Sequence, residues 1–123
     1  MFDHVTLQVG DVPTSRAFYE HLLSPLGIRP QYTDGDAVGF IGNEPGSFWI
    51  CPAQGSETRE LHLAFSAPDR GVVQAFFAAA TQAHMEVIYE PQQFPQYHEN
   101  YFAAFVRDPD GHSIEAVCHE PPV

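Results

Sequence analysis

His4 and His62 stand in matching settings at two places in the chain, Asp3-His4-Val5 and Leu61-His62-Leu63. A shift of 58 (4 to 62) lays one over the other. It also pairs Asp11 with Asp69, Ala17 with Ala75, Phe18 with Phe76 and Tyr19 with Phe77. Such self-similarity marks an internal structural repeat. At the ends of the two copies a shift of 65 (50 to 115) lays Phe40-Ile41 over Phe105-Val106, Gly46 over Gly111, Trp49 over Ile114 and Ile50 over Glu115. Glu115 interrupts an otherwise apolar run, Ser113-Ile114-Glu115-Ala116-Val117. A carboxylate buried there is costly unless it is paired or binds a metal. Two histidines and one carboxylate make a ligand set for Fe(II), Mn(II), Zn or Ni, with coordination positions left open for substrate. Ile50 cannot bind metal, so three protein ligands are expected, His4, His62 and Glu115.

The elements that must position these residues follow from pattern. Residues 2–9 alternate and are rich in β-branched side chains, which predicts a strand. A strand start at residue 2 leaves no signal peptide ahead of it. Asp11-Val12-Pro13-Thr14-Ser15 has helix-start chemistry, and apolar positions at Ala17, Phe18 and Leu22 carry a helix over 14–24 that Pro25 and Gly27 stop. Strands are expected near 28–33, 37–42 and 48–52, joined by turn-rich segments. The second copy repeats the order, with a strand at 61–67, a helix over 69–83, and strands near 85–90, 101–107 and 113–118. The 65-residue shift implies 7 extra residues in the second copy (65 − 58), assigned to a long loop at 91–100. Long loops in compact domains tend to carry function.

The fold class is therefore α+β. Two βαβββ modules, about 1–55 and 59–120, form a single domain over 1–123. They are expected to pair into a curved eight-stranded mixed sheet around one metal-binding cleft.

Alternation assigns faces. Thr6 shares a side with His4, and is either a substrate contact or a small residue filling the cleft. Phe48 shares a face with Ile50, so both are expected to wall the cleft, with Trp49 turned toward a helix. His98, at the end of the variable loop, is a candidate general acid or base; the alternative is an ordinary surface histidine. Tyr101 is a candidate substrate-positioning hydroxyl, or simply a packed strand tyrosine. His21, His84, His112 and His119 are read as solvated.

The segments Asp3-His4-Val5-Thr6-Leu7, Arg16-Ala17-Phe18-Tyr19, His62-Leu63-Ala64-Phe65 and Ala104-Phe105-Val106-Arg107-Asp108-Pro109-Asp110-Gly111, with Ile114-Glu115, resemble the vicinal oxygen chelate superfamily. That superfamily includes glyoxalase I, extradiol dioxygenases, fosfomycin-resistance thiol transferases and bleomycin-resistance proteins. The resemblance spans essentially the whole chain. It implies one divalent metal that chelates two neighbouring oxygens of a small-molecule substrate, and it implies a homodimer. Ile50 stands where glyoxalase I places a proton-transferring glutamate, which argues against that mechanism. His98 could serve as the base a dioxygenase needs.

Composition sets the remaining bounds. Asp and Glu number 16 against 5 Lys plus Arg, all of them arginine, for a net charge of −11. That argues against nucleic acid and anionic membranes, which need clustered positive charge, and no apolar run reaches membrane-spanning length. Cys51 and Cys118 form neither a disulfide framework nor a CxxC pair, and free thiols fit a reducing cytoplasm. The acidic balance supports a second reading, a non-catalytic protein that sequesters a cationic small molecule in the manner of bleomycin-resistance proteins. Retention of three metal ligands favours the enzyme. A fold kept without activity is the third possibility.

Overall fold

Aspartate opens both helices. The Asp11 side chain accepts from Thr14 N at 3.1 Å and also from the Thr14 hydroxyl, and Asp69 accepts from Val72 N at 2.9 Å. Each satisfies a backbone donor that a helix start leaves without a partner. The Thr14 hydrogen bonds hold the Asp11 carboxyl below the usual carboxylate range. The computed structural model describes residues 4–53 and 61–122. The expected junction near 55–59 and a strand start at residue 2 lie outside those residues.

The first module runs β1 (His4–Val9), α1 (Val12–Leu23), a 3₁₀ turn (Ser24–Leu26), β2 (Arg29–Asp34), β3 (Ala37–Ile41) and β4 (Ser47–Pro52). Gly27, at φ 74°, ends the turn in a left-handed conformation that glycine adopts without strain. The second module runs β5 (His62–Ser66), α2 (Arg70–Gln82), β6 (Val87–Gln93), β7 (Phe102–Arg107) and β8 (Ser113–Cys118). The α+β class and the two βαβββ modules are as expected. Among the described residues eight strands form two four-stranded sheets, β1-β4-β3-β2 and β5-β8-β7-β6. Strand β6 reaches Gln93, past the predicted end at 90, and so shortens the loop. Pro91 is tolerated within it because β6 is an edge strand.

One core spans both modules. Leu7, Val9, Phe48 and Ile50 of the first sheet join Phe65, Ile114 and Ala116 of the second, with Tyr19 and Leu22 of α1 and Phe76 and Ala80 of α2. Phe48 meets Phe65 edge-on at 5.5 Å across the module boundary. The inner faces of both sheets therefore turn toward the helices and toward each other. Gly10 N donates to Asp110 Oδ1 at 3.0 Å, and His21 Nε2 lies 2.9 Å from the Ala79 carbonyl oxygen, which adds polar ties between the halves. No helix among the described residues is long and apolar enough to cross a membrane. Both cysteines are free.

The turn Asp108-Pro109-Asp110-Gly111 is locked from inside. Asp108 is buried; its Oδ1 accepts from Asp110 N and His112 N, and its Oδ2 accepts from the Tyr19 hydroxyl at 2.6 Å. Burial, and then the Asp108 carboxylate, raise the Tyr19 phenol far above the usual tyrosine range. Tyr19→Phe leaves Asp108 Oδ2 without its donor and is expected to cost about 1–3 kcal/mol near neutral pH. A phenol held protonated in the fold stabilises it fully below the ordinary tyrosine pKa of about 10, and that stability is lost as pH rises beyond. The gap between wild type and variant in urea unfolding should therefore narrow above that pH. His112, expected on the surface, is also buried here, and its Nδ1 accepts from Leu61 N at 2.9 Å. The turn packs inward against α1, which an isolated reading of its sequence as solvated did not anticipate.

Candidate metal centre

Strand β8 is buried along its whole length, and Glu115 within it is 1% exposed. Alternation places Glu115 on the face of the sheet opposite the helices. Its neighbours across the ladder are Ala64 on β5 and Phe105 on β7. Two residues back along β8, His62 pairs with Ser113, so five side chains of one face lie together. His62 Nε2 donates to Glu115 Oε1 at 2.7 Å, and Ser113 Oγ lies 2.9 Å from His62 Nδ1. The Tyr101 hydroxyl donates to Glu115 Oε2. Burial, and then the Glu115 carboxylate, raise the Tyr101 phenol well above its ordinary range, so it remains a donor at any physiological pH. His62, Tyr89, Tyr97, Tyr101, Phe105 and Glu115 line an open pocket here.

The expected third ligand lies elsewhere. His4 and Thr6 are exposed on β1, in the other sheet, while Leu7 and Val9 point into the shared core. The two histidine-bearing faces thus point outward from a common core. Among the described residues no three His, Cys, Asp or Glu side chains come together. His62, Glu115 and Tyr101 meet, and His4 and Thr6 do not join them within one chain. His98 is outside the pocket lining: its exposed ring stacks on Tyr101, centroids 6.3 Å apart, and meets His119 at 6.0 Å. His119, read as solvated, also packs edge-on against Tyr101 at 5.2 Å.

Phe48 and Ile50 do not wall a cleft. Both are fully buried, and Phe48 packs on Tyr19 at 4.9 Å in the core between sheet and helix. Trp49 faces outward with His4, since β1–β4 pairing sets His4 beside Ser47 and Thr6 beside Trp49. The ladder also corrects the repeat. His4–Ser47 matches His62–Ser113, so the ends of the copies correspond at a shift of 66 (47 to 113), and the insertion is 8 residues (66 − 58). Trp49, not Ile50, stands where Glu115 stands. A slip of one residue in a strand exchanges its two faces, which is why Phe48, Trp49 and Ile50 were all assigned to the wrong side. Ser113 was missed, although it lies two residues before Glu115 and alternation alone puts it on the same face.

Two βαβββ modules that set a buried carboxylate against a histidine and a tyrosine hydroxyl define the class, a small α+β domain built by duplication. The chain belongs to the Glyoxalase/Bleomycin resistance protein/Dioxygenase superfamily, whose model matches residues 1–116. A solved glyoxalase/bleomycin resistance protein from Albidiferax ferrireducens is similar at 28% identity and TM-score 0.80, covering 95% of this chain and 98% of that one. A lactoylglutathione lyase from Agrobacterium tumefaciens shares the fold at 17% identity and TM-score 0.70, with 96% and 92% covered. A glyoxalase/dioxygenase from Nostoc punctiforme does so at 19% identity and TM-score 0.72, with 98% and 90% covered. No curated protein sequence matches the chain.

Proposed function

We propose that the protein is a divalent-metal-dependent enzyme acting on a small molecule with two neighbouring oxygens. In this reading each metal is held by His62 and Glu115 of one copy and His4 of a second. The observation that carries it is Glu115, a carboxylate buried in an apolar strand with His62 at 2.7 Å. Such a group is stable chiefly where a partner offsets its desolvation.

The residues present fit the ion. Metal binding needs the lone pair of His62 Nε2, so the ring proton must move to Nδ1. Ser113, 2.9 Å away, is a hydroxyl that both donates and accepts, and it satisfies either tautomer. Tyr101 holds one Glu115 oxygen and leaves the other facing His62. The bound ion would act as a Lewis acid toward a chelated oxygen pair. The chain's own residues supply the rest. Tyr101 keeps its proton on the hydroxyl and fixes the carboxylate, Tyr89, Tyr97 and Phe105 exclude water from one wall, and His98 packs over Tyr101 at the margin. The outward direction of both histidine faces supports the two-copy arrangement. It also covers the exposed rings of Tyr89 and Tyr97, which are 50% and 55% exposed.

Protein purified without chelator should contain stoichiometric metal, lost in His62→Ala. Metal-free wild type that binds a basic compound in a salt-dependent way would instead support the sequestering reading, which the charge of −11 favours. Tyr101→Phe keeps all three ligands. It should weaken metal binding by roughly 10–100-fold, as loss of an outer hydrogen bond to a ligand does, measured by competition with a chromogenic chelator.

A further inference from the structure

We propose that Trp49 and Tyr32 seat a planar aromatic ring carried by the small-molecule substrate, on the outer face of the first sheet beside His4 and Thr6. The row Thr6, Trp49, Gly39, Tyr32 crosses β1, β4, β3 and β2 in register. Gly39 is what lets the indole lie flat. A Cβ there would meet three atoms of the Trp49 ring at 2.8 Å. Trp49 Nε1 donates to Ser47 Oγ at 3.0 Å, which fixes the rotation of the ring and ties it to the strand partner of His4. Tyr32 stacks against the indole, its ring 14° from parallel and the centroids 6.3 Å apart, and it remains 52% exposed. An indole pinned by a hydrogen bond, lying over a glycine and extended by a near-parallel exposed tyrosine offers a preformed π face. A flat ring gains stacking and dispersion there at little ordering cost. The charge of −11 disfavours an anionic ring and favours a neutral or cationic one.

What faces this seat rests on the two-copy reading above. The matching row of the second sheet is Ala64, Glu115, Phe105 and Tyr89. Trp49 thus occupies the repeat position of Glu115 and Gly39 that of Phe105. When the two faces oppose, a ring on Trp49 lies across the chamber from Glu115, and the oxygens it carries reach the metal side.

Trp49 is the only tryptophan in the chain, so its fluorescence reports the seat directly. The probes are 2,3-dihydroxynaphthalene, its saturated decalin diol, and 2-naphthalenemethanol, which has the ring without the chelating pair. Both naphthalenes should quench Trp49 saturably and the decalin diol should not. By calorimetry Trp49→Leu should weaken both naphthalenes by roughly tenfold, the scale of one lost stacking contact, and leave the decalin diol unchanged. Gly39→Ala, which displaces the indole, should weaken the naphthalenes in the same sense, and Trp49→Phe should recover part of the loss. Far-UV circular dichroism and metal content confirm that each variant folds. Equal binding of naphthalenes to wild type and Trp49→Leu overturns the proposal. So does a Trp49 emission that shifts only with protein concentration and never with probe, because a second copy then fills the seat. If the metal reading alone fails, 2,3-dihydroxynaphthalene loses its advantage over 2-naphthalenemethanol, while both still depend on Trp49.

Discussion

Neither His4→Ala nor Glu115→Ala protein is expected to hold metal on its own, yet mixing the two should restore about a quarter of the wild-type content. The arithmetic follows from the outward faces. If each site takes His4 from one copy and His62 with Glu115 from the other, a mixed dimer has one intact site and one site lacking both ligands. Random assortment makes about half the dimers mixed, and half their sites are whole. Co-expression with separable tags, followed by metal analysis of the doubly tagged fraction, should raise the value toward one ion per dimer. A site built within one chain gives no recovery, since every chain in the mixture lacks a ligand. If His4→Ala alone retains full metal, His4 is not a ligand and the pair His62–Glu115 serves by itself. The expected change between either parent and the mixture is from none to stoichiometric at one site, which leaves little room for ambiguity.

The repeat made most of the architecture legible. Helix starts at Asp11 and Asp69, the eight strands and the order of the modules all came from local chemistry, because caps and alternation act over a few residues. The pairing of Glu115 with His62 was also readable, since each stood out against its own strand. What sequence could not supply was which faces meet. The shared expectation of one cleft assumed that both histidine faces turn inward. The core instead joins Phe48 to Phe65, and the histidines face away from it. That choice depends on how two amphipathic halves dock, and no single strand encodes it. The burial of His112 has a related cause, Tyr19 holding Asp108 across 89 residues of chain. The face of Trp49 was lost to a one-residue slip, encouraged by the apparent match of Phe40-Ile41 to Phe105-Val106.

Ile50→Glu and Trp49→Glu place the same carboxyl one residue apart on β4, and should behave as opposites. Ile50 is fully buried and packs in the core with Leu7 opposite it on β1. A carboxylate there has no partner, so the cost is on the order of 5 kcal/mol, comparable with the entire stability of a small domain at about 5–15 kcal/mol. The buried acid has a raised pKa in the fold, so whatever stability survives should be greatest at low pH and fall as pH rises through the folded pKa. Trp49 is only half-buried, on the outer face beside Thr6. Trp49→Glu loses the stacking on Tyr32 and should cost about 1 kcal/mol. It also sets a carboxylate on the face of His4 at the position Glu115 holds in the other module, and should tighten metal binding by supplying a fourth donor. Urea unfolding at two pH values and chelator competition measure both effects. A stable, metal-tightened Ile50→Glu beside an unfolded Trp49→Glu would reverse the assignment of faces on β4 and with it the correspondence between the two halves of the repeat.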